Sequence, residues 1–313
     1  MEFDVASLGI IVADVIARPV DKMPEPGKAV LVNDTAVHLG GLAAATSRVL
    51  AKLGGNVALI GKVGTDRFGD FVLDTLRGSG VDTAGVKRDA ETKTSVTLVA
   101  VSSDGERSFF HYAGANNAVR EDDVDFDIVG KARILHYGGT FLMDQLDGEP
   151  MARVLARARS LGKITSLDTS WDSRGRWLKL IEPYLGYLDI IYASLEEARA
   201  ITGVDELEDI AEFLQSYGIK TVVIKMGADG CYVKGEEEGH RIAGLEVDVV
   251  DTTGAGDAFV GGFLYGLSNN WSLLECGEFA NAVGALTVTK MGGSEAVESY
   301  EATMAFMKGK GKK

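Results

Sequence analysis

Short apolar runs alternate with segments of helical period through the second half of the chain. Ile134 to Tyr137, Ile164 to Asp168, Asp189 to Tyr192, Thr221 to Lys225 and the short Gly230 to Lys234 read as strands. Helical periods fall at Glu149 to Leu161, Trp177 to Leu185, Glu196 to Thr202 and Glu206 to Tyr217. Strands separated by helices of this length imply a mainly parallel sheet covered on both faces. The predicted fold class is therefore α/β, a three-layer sandwich around a mainly parallel central sheet.

The first half adds to that sheet and departs from it. Val5 to Val12 is a first strand ending near Ala13-Asp14, and Gly40-Gly41 opens a helix with apolar positions at Leu42, Ala45, Val49, Leu50 and Leu53. Asn56 to Ile60 is the next strand; Gly61 to Gly69 reads as a loop entering a helix over Asp70 to Gly78. Between these lie pieces of another kind. Three of the five prolines cluster within Arg18 to Gly27, before an alternating stretch from Val30 to His38. Thr94 to Val101 and Glu106 to Tyr112 flank Ser102-Ser103-Asp104-Gly105, a hairpin signal, and could pair with the Val30 to His38 segment in one small sheet.

The chain is organised around Val247 to Gly266. An apolar strand over Val247 to Val250 is predicted to run into Asp251-Thr252-Thr253-Gly254-Ala255-Gly256-Asp257 and then into an apolar helix. Gly254 and Gly256 permit a tight turn whose N–H groups, at a helix start, can face an anion. Asp257 beside such a site calls for a chemical task, and accepting a proton from an attacking hydroxyl is one. No Gly-Lys pair precedes Ser or Thr, which excludes a Walker A loop, and Phe259 stands where a dinucleotide fingerprint needs Gly or Ala. Asp14, Asp168 and the glycine turn all fall at predicted carboxyl ends of strands, where ligands bind in such sheets.

Composition narrows the partners. Of 313 residues 46% are hydrophobic, and 32 Lys and Arg face 46 Asp and Glu, for a net charge of -14. That balance, with basic residues dense only in the Lys308 to Lys313 tail, argues against nucleic acid; the tail reads as a frayed, solubilising end. Cys231 and Cys276 are far apart and suggest neither a disulfide framework nor a metal knuckle, so a cytoplasmic setting is expected. Neither a signal segment nor a membrane span is apparent. The histidines at 38, 111, 136 and 240 lack metal spacing and read as structural or exposed.

Asp251 to Phe259 resembles the C-terminal signature of the ribokinase-like (PfkB) carbohydrate kinases. Gly40-Gly41, Gly61-x-x-Gly64-x-Asp66-x-x-Gly69, Gly114-Ala115-Asn116, Lys225-x-Gly227-x-x-Gly230 and Phe279-Ala280-Asn281-Ala282-x-x-Ala285 support it in family order, over roughly residues 4 to 300. The resemblance implies one ribokinase-like kinase domain over 1–313, with a small β-sheet lid inserted at about 15–38 and 93–113. It implies ATP-dependent phosphorylation of a sugar hydroxyl, with Asp257 as base and the backbone of Gly254, Ala255 and Gly256 as anion hole. Lys225, Gly227, Gly230, Thr252 and Asn281 would lie at the nucleotide, and Glu197 would organise water around Mg²⁺. Ser194 replaces the family's Asn in that motif. Asp251 and Thr253, with a carbonyl near Gly292, would hold K⁺ or another monovalent cation.

For the acceptor, Asp14, Gly40, Gly41, Asn116 and Asp168 match substrate-binding positions, but Ala45 replaces a usual Asn. Asp172 stands where kinases of an acidic sugar have Arg, which favours a neutral sugar. Arg107 could supply charge if it turned inward, and reads equally as a solvated strand residue beside Glu106. The lid implies a homodimer. The alternatives are a nucleoside kinase of the same fold and a catalytically silent sugar-binding protein.

Overall fold

Period-two alternation sends successive side chains of each strand into different layers. In the computed structural model, which describes residues 2–310, β1 (Phe3–Gly9) turns Ala6 and Leu8 into one core and Val5 into another. Three strands follow in quick succession with the first helix between them: β2 (Val12–Arg18), β3 (Asp34–Gly40), α1 (Leu42–Lys52) and β4 (Val57–Gly64). Next come α2 (Arg67–Gly78), β5 (Asp82–Asp89), β6 (Ser95–Val101), β7 (Arg107–Tyr112) and α3 (Phe126–Lys131). The alternating half comprises β8 (Ala132–Gly138), α4 (Glu149–Ser160), β9 (Ile164–Asp168), α5 (Trp177–Leu185), β10 (Ile190–Ser194), α6 (Leu195–Thr202), α7 (Leu207–Gln215) and β11 (Thr221–Lys225). The chain closes with β12 (Cys231–Lys234), β13 (Gly239–Ile242), α8 (Ala255–Ser268), α9 (Leu273–Thr287) and α10 (Tyr300–Lys310).

Nine strands form the central sheet in the order β13-β12-β11-β10-β9-β8-β1-β4-β5, parallel except where β12 pairs with its neighbours. The cores identify the layers. Ile128, Met151, Ile181, Ile201 and Ile210, from α3 to α7, pack on one face, while Leu50, Val72, Phe263 and Cys276, from α1, α2, α8 and α9, pack on the other. The expected three-layer α/β sandwich is therefore present. Beside it stands a separate four-stranded sheet, β3-β2-β6-β7.

Several expectations need correction. The single strand expected over Val5 to Val12 splits at Gly9, whose φ of 153° and close approach to the Gly138 carbonyl suit no other residue, and the chain leaves the central sheet there. Asp14 consequently lies on β2 of the small sheet, not at the end of a central strand. The hairpin joins that sheet through β2, so β3 and β6 are not neighbours. Val247 to Val250 forms no strand: Val249 and Val250 are 62% and 56% exposed, so their side chains cover no core face. Its end is anchored instead by N–H bonds of Val250 and Asp251 to the Val288 carbonyl.

The expected loop over 61–69 is mostly ordered, since β4 runs to Gly64 and α2 starts at Arg67 with Asp66 capping the Gly69 N–H at 3.0 Å. Strands β5 and β13 and helices α3 and α9 are not among the expected elements. The frayed tail is helical as far as Lys310, and residues 311–313 lie outside the described residues.

Candidate active site

The ends of β9, β10 and β11 and the starts of α6 and α8, at the carboxyl edge of the central sheet, carry the charged groups. Gly254, at φ 71°, is the N-cap of α8, a conformation that favours glycine, and it packs against the Gly292-Gly293 turn. First-turn N–H groups of a helix have no acceptor within it and give positive potential there. Of the expected anion hole, the Ala255 N–H makes a long bond of 3.3 Å to the Thr252 carbonyl, and Gly256 lines an open cleft of about 900 Å³.

Asp257 lies one residue further, at the end of the same cleft. Burial and the like charges of Asp168, Asp14 and Glu197 push its carboxyl up to about 7, against the opposing pull of Lys225. A carboxylate poised there exchanges protons readily near neutrality. Thr46 on α1 holds the backbone of this turn through its hydroxyl, 3.1 Å from the Asp257 carbonyl.

Lys225, at the end of β11, forms an ion pair of 2.7 Å with Asp168 at the end of β9. Burial pushes Asp168 up to about 6 although Lys225 stabilises its charge. A Cβ on Gly256 would stand 3.4 Å from the Lys225 ammonium, so the lysine reaches the start of α8 and faces whatever binds there. This is more than a solvated strand end. Asp168, expected at the acceptor, is instead engaged by Lys225 along the wall of the cleft.

Ser194 and Glu197 form a reciprocal capping box at the start of α6: the Glu197 N–H donates to the Ser194 hydroxyl at 3.2 Å, and the Ser194 N–H donates to Glu197 Oε2 at 2.9 Å. Thr169 donates to the same oxygen at 2.9 Å. One carboxylate oxygen is thus structural, which leaves Oε1 for a ligand. Among the described residues no group of three or more His, Cys, Asp or Glu side chains forms a metal cage. The residues fit magnesium that arrives on a polyphosphate with its own water shell, held by few protein oxygens.

The Asp251 carboxylate is almost fully buried, and its acceptors are filled. Oδ1 receives the Arg107 guanidinium at 2.6 Å and the Thr253 N–H at 2.8 Å, and Oδ2 receives the Gly292 N–H at 3.3 Å. Burial alone would raise this carboxyl, but these donors hold it below the usual range. Arg107 has therefore turned inward from β7. Asp251, Thr253 and Gly292 come together there, and the Arg107 guanidinium lies against the carboxylate expected to face a monovalent cation.

Across the inner face of the small sheet, His38, Asp14, Thr97 and His111 stand opposite one another on β3, β2, β6 and β7. Thr97 Oγ1 is 3.1 Å from His111 Nδ1, and burial raises the Asp14 carboxyl while Thr97 and His38 favour its charge. A Cβ on Gly40 would lie 2.1 Å from Asp14 Oδ2. Gly40 is thus the floor against which this carboxylate rests. Gly41, at φ 93°, is the N-cap of α1, and a Cβ there would lie 2.5 Å from the Ile10 carbonyl oxygen. The register row, invisible without strand pairing, brings in two histidines that sequence reading set aside.

Other expectations change role. Asn116 is buried and bonds the Ile11 backbone twice at 3.0 Å, so it pins the connection between β1 and β2 and is not presented to a ligand. Asn281 holds the carbonyls of Ile242 and Ala243 at 3.3 and 3.2 Å, and Gly230 admits the Ile242 carbonyl; both shape the end of β13 rather than line the cleft. Thr252 and Gly227 do line it. Asp172 is buried beneath Arg176, with the Trp177 N–H at 3.0 Å, so its charge is neutralised and cannot repel an acidic sugar. That reason for a neutral acceptor is withdrawn.

A glycine-capped helix start, a carboxyl poised near neutrality and a lysine facing both define a phosphoryl-transfer site on an α/β sandwich. The model of the pfkB family carbohydrate kinases matches residues 2–299, and the chain belongs to that family. It is a carbohydrate kinase, a phosphotransferase. It is 34% identical over 285 residues to a probable fructokinase-7 of Arabidopsis thaliana, covering 86% of this chain and 83% of the relative. Fructokinase-1 of Zea mays is 32% identical over 268 residues, covering 81% and 83%. The fold is also that of an Arabidopsis thaliana ribokinase solved with ribose and ATP, with a TM-score of 0.86, 24% identity and coverage of 98% and 99%.

Proposed function

We propose that this kinase transfers the γ-phosphoryl group of ATP, delivered with magnesium, to a hydroxyl of a small neutral sugar, with fructose the leading acceptor. The observation that carries the reading is Asp257: a carboxyl held at about 7 beside the N-terminus of α8 and the Lys225 ammonium. Asp257 takes the proton of the acceptor hydroxyl, while the N–H groups of the Gly254 to Gly256 turn and Lys225 stabilise charge on the transferring phosphoryl group. Magnesium, when bound, neutralises the phosphates, which the carboxylates of Asp168, Glu197 and Glu206 along the cleft would otherwise repel. Asp14 accepts hydroxyl hydrogen bonds of the sugar, with His38, Thr97 and His111 beside it. Fructose is favoured by the fructokinase names of the curated relatives.

In this reading residues 1–313 act as one kinase domain, and the small sheet serves as a lid that excludes water from the acceptor. Its outer face supports a homodimer. Val37, Val15, Leu98 and Phe110 stand opposite one another across all four strands, and Leu98 and Phe110 are about half exposed at 51% and 52%. A second copy would cover that row and the open edges at β3 and β7. Two free, buried cysteines suit a cytoplasmic setting.

The test is ADP release with magnesium-ATP across fructose, ribose, other hexoses, polyols and nucleosides, paired with thermal shift in a nonhydrolysable ATP analogue. Fructose should give the highest kcat/KM. A preference for adenosine or cytidine over every free sugar would overturn the acceptor class.

A further inference from the structure

Arg107 reaches from the small sheet to a buried carboxylate beside the transfer site, where His38 of β3 also comes close to Gly292. It projects from β7 opposite Val101 and crosses to a carboxylate 144 positions away in sequence, where it remains only 20% exposed. Asp251 in turn holds the Thr253 N–H on one side and the Gly292 N–H on the other. The two arms of this clasp lead directly to Gly254 and Gly293, which pack against each other at the N-cap of α8. The carboxylate therefore ties together the turn that presents the anion hole and the turn beneath it. The loop beyond Gly292 is fixed independently, by Arg48 to Glu295 at 2.7 Å and Lys52 to the Ser294 carbonyl at 2.9 Å. A second lid arginine, Arg18, paired with Asp34, meets Met291 beside it.

A buried carboxylate needs a positive partner, and an arginine keeps its charge at every working pH. We propose that Arg107 is a tethered cation, taking at Asp251 the place of a free monovalent ion, and that it makes completion of the anion hole depend on lid closure. A soluble ion would sit at Asp251 whether or not a sugar was present. A guanidinium carried on β7 arrives only when the small sheet lies over the acceptor, so the transferring group gains its full stabilisation when a hydroxyl is there to receive it. Water is then a poor competitor, because the open lid withdraws the charge. Arg107 acts through Asp251 and the α8 turn and does not touch the reacting atoms, so it is a positioning residue. The kinetic part rests on the transfer reaction proposed above; its occupation of the cation's place does not.

The experiment compares the wild-type chain, Arg107→Ala and Arg107→Lys in KCl and in choline chloride at one ionic strength near ~0.15 M. Wild-type turnover should be the same in both salts. Arg107→Ala should lose roughly tenfold or more of kcat in choline chloride and recover most of it in KCl, and Arg107→Lys should fall between without a potassium response. Sugar-free ATP hydrolysis, relative to sugar phosphorylation, should rise in Arg107→Ala with KCl, since a free ion no longer waits for the lid. Thermal melting supplies a readout without turnover: potassium should raise the Tm of Arg107→Ala above its value in choline chloride and leave the wild type unmoved. Wild-type turnover or melting that responds specifically to potassium would overturn the proposal, as would an Arg107→Ala variant with full activity in choline chloride. Because melting needs no catalysis, a failed transfer reaction and a failed cation assignment give different results.

Discussion

The start of α8 and the small sheet are both glycine-punctuated, charged and close to the reacting groups, yet they are held in opposite ways. Asp168, Lys225 and Asp257 come from the ends of β9 and β11 and the first turn of α8, and they stand on elements whose apolar sides are sealed in two cores. On the outer face of the small sheet Leu98, Phe110 and Tyr112 remain about half exposed. Chemistry common to a family needs sub-ångström placement and so rests on the rigid frame. On the proposed reading, acceptor choice needs a surface that can close and open, and the less tightly packed small sheet would supply it. Asp251 is where the two regions meet, through Arg107.

Four variants and a pH profile test that division. Asp257→Asn should lower turnover by roughly 100- to 10,000-fold while ATP binding, measured by calorimetry, changes little. Retained activity would remove the rigid region from the chemistry. Lys225→Met should cost turnover less, but it leaves Asp168 buried without its partner. Its stability in urea should fall by about 3 kcal/mol, the usual result of breaking one side of a buried pair. A loss of activity with unchanged stability would mean that the pair serves ligands alone. Gly40→Ala belongs to the other region. The new Cβ must displace the Asp14 carboxylate, so the KM for sugar should rise about tenfold with that for ATP unaltered.

The pH dependence is smaller and has a definite sign. Asp257 must be ionised to accept a proton, so kcat/KM should fall tenfold per unit below about 7 and level off above it. The same raised carboxyl binds its proton more tightly folded than unfolded. Its contribution to stability is complete below the ordinary value of 3.8 and is lost as pH rises towards about 7. At pH 8, therefore, Asp257→Asn should melt higher than the wild type, by roughly 2 °C or more, while being far less active. Phe110→Asp should have the least effect on the reaction. On the outer face it should convert a dimer to monomer in light scattering, with kcat changed less than about twofold; an unchanged mass would show that the exposed row is not an interface.

Legibility followed the range of the interactions. Helix α5 and strands β9 and β11 lie where their periodicity placed them, because each buries a local apolar pattern in a layer. Val247 to Val250 had the same local pattern and forms no strand, and Val249 and Val250 cover no core face. The Asp251 to Asp257 turn was readable because its glycine conformations and its carboxylates are neighbours in sequence. Asp172 misled for the complementary reason. Its residue type suggested repulsion, but Arg176, four residues on across a turn, pairs with it.

By itself the sequence determined the alternation that makes the three-layer sandwich and the family of the reaction, and it singled out Asp257 as the candidate base, all from patterns within a few residues. Only the tertiary structure decided that Asp14 belongs to the small sheet, that His38, Thr97 and His111 share its row, that Asn116 is a pin and that Arg107 pairs with Asp251. Those facts depend on strand register and on partners up to 144 positions apart. No local pattern encodes them, because side-chain charge is satisfied by whichever group the fold brings near.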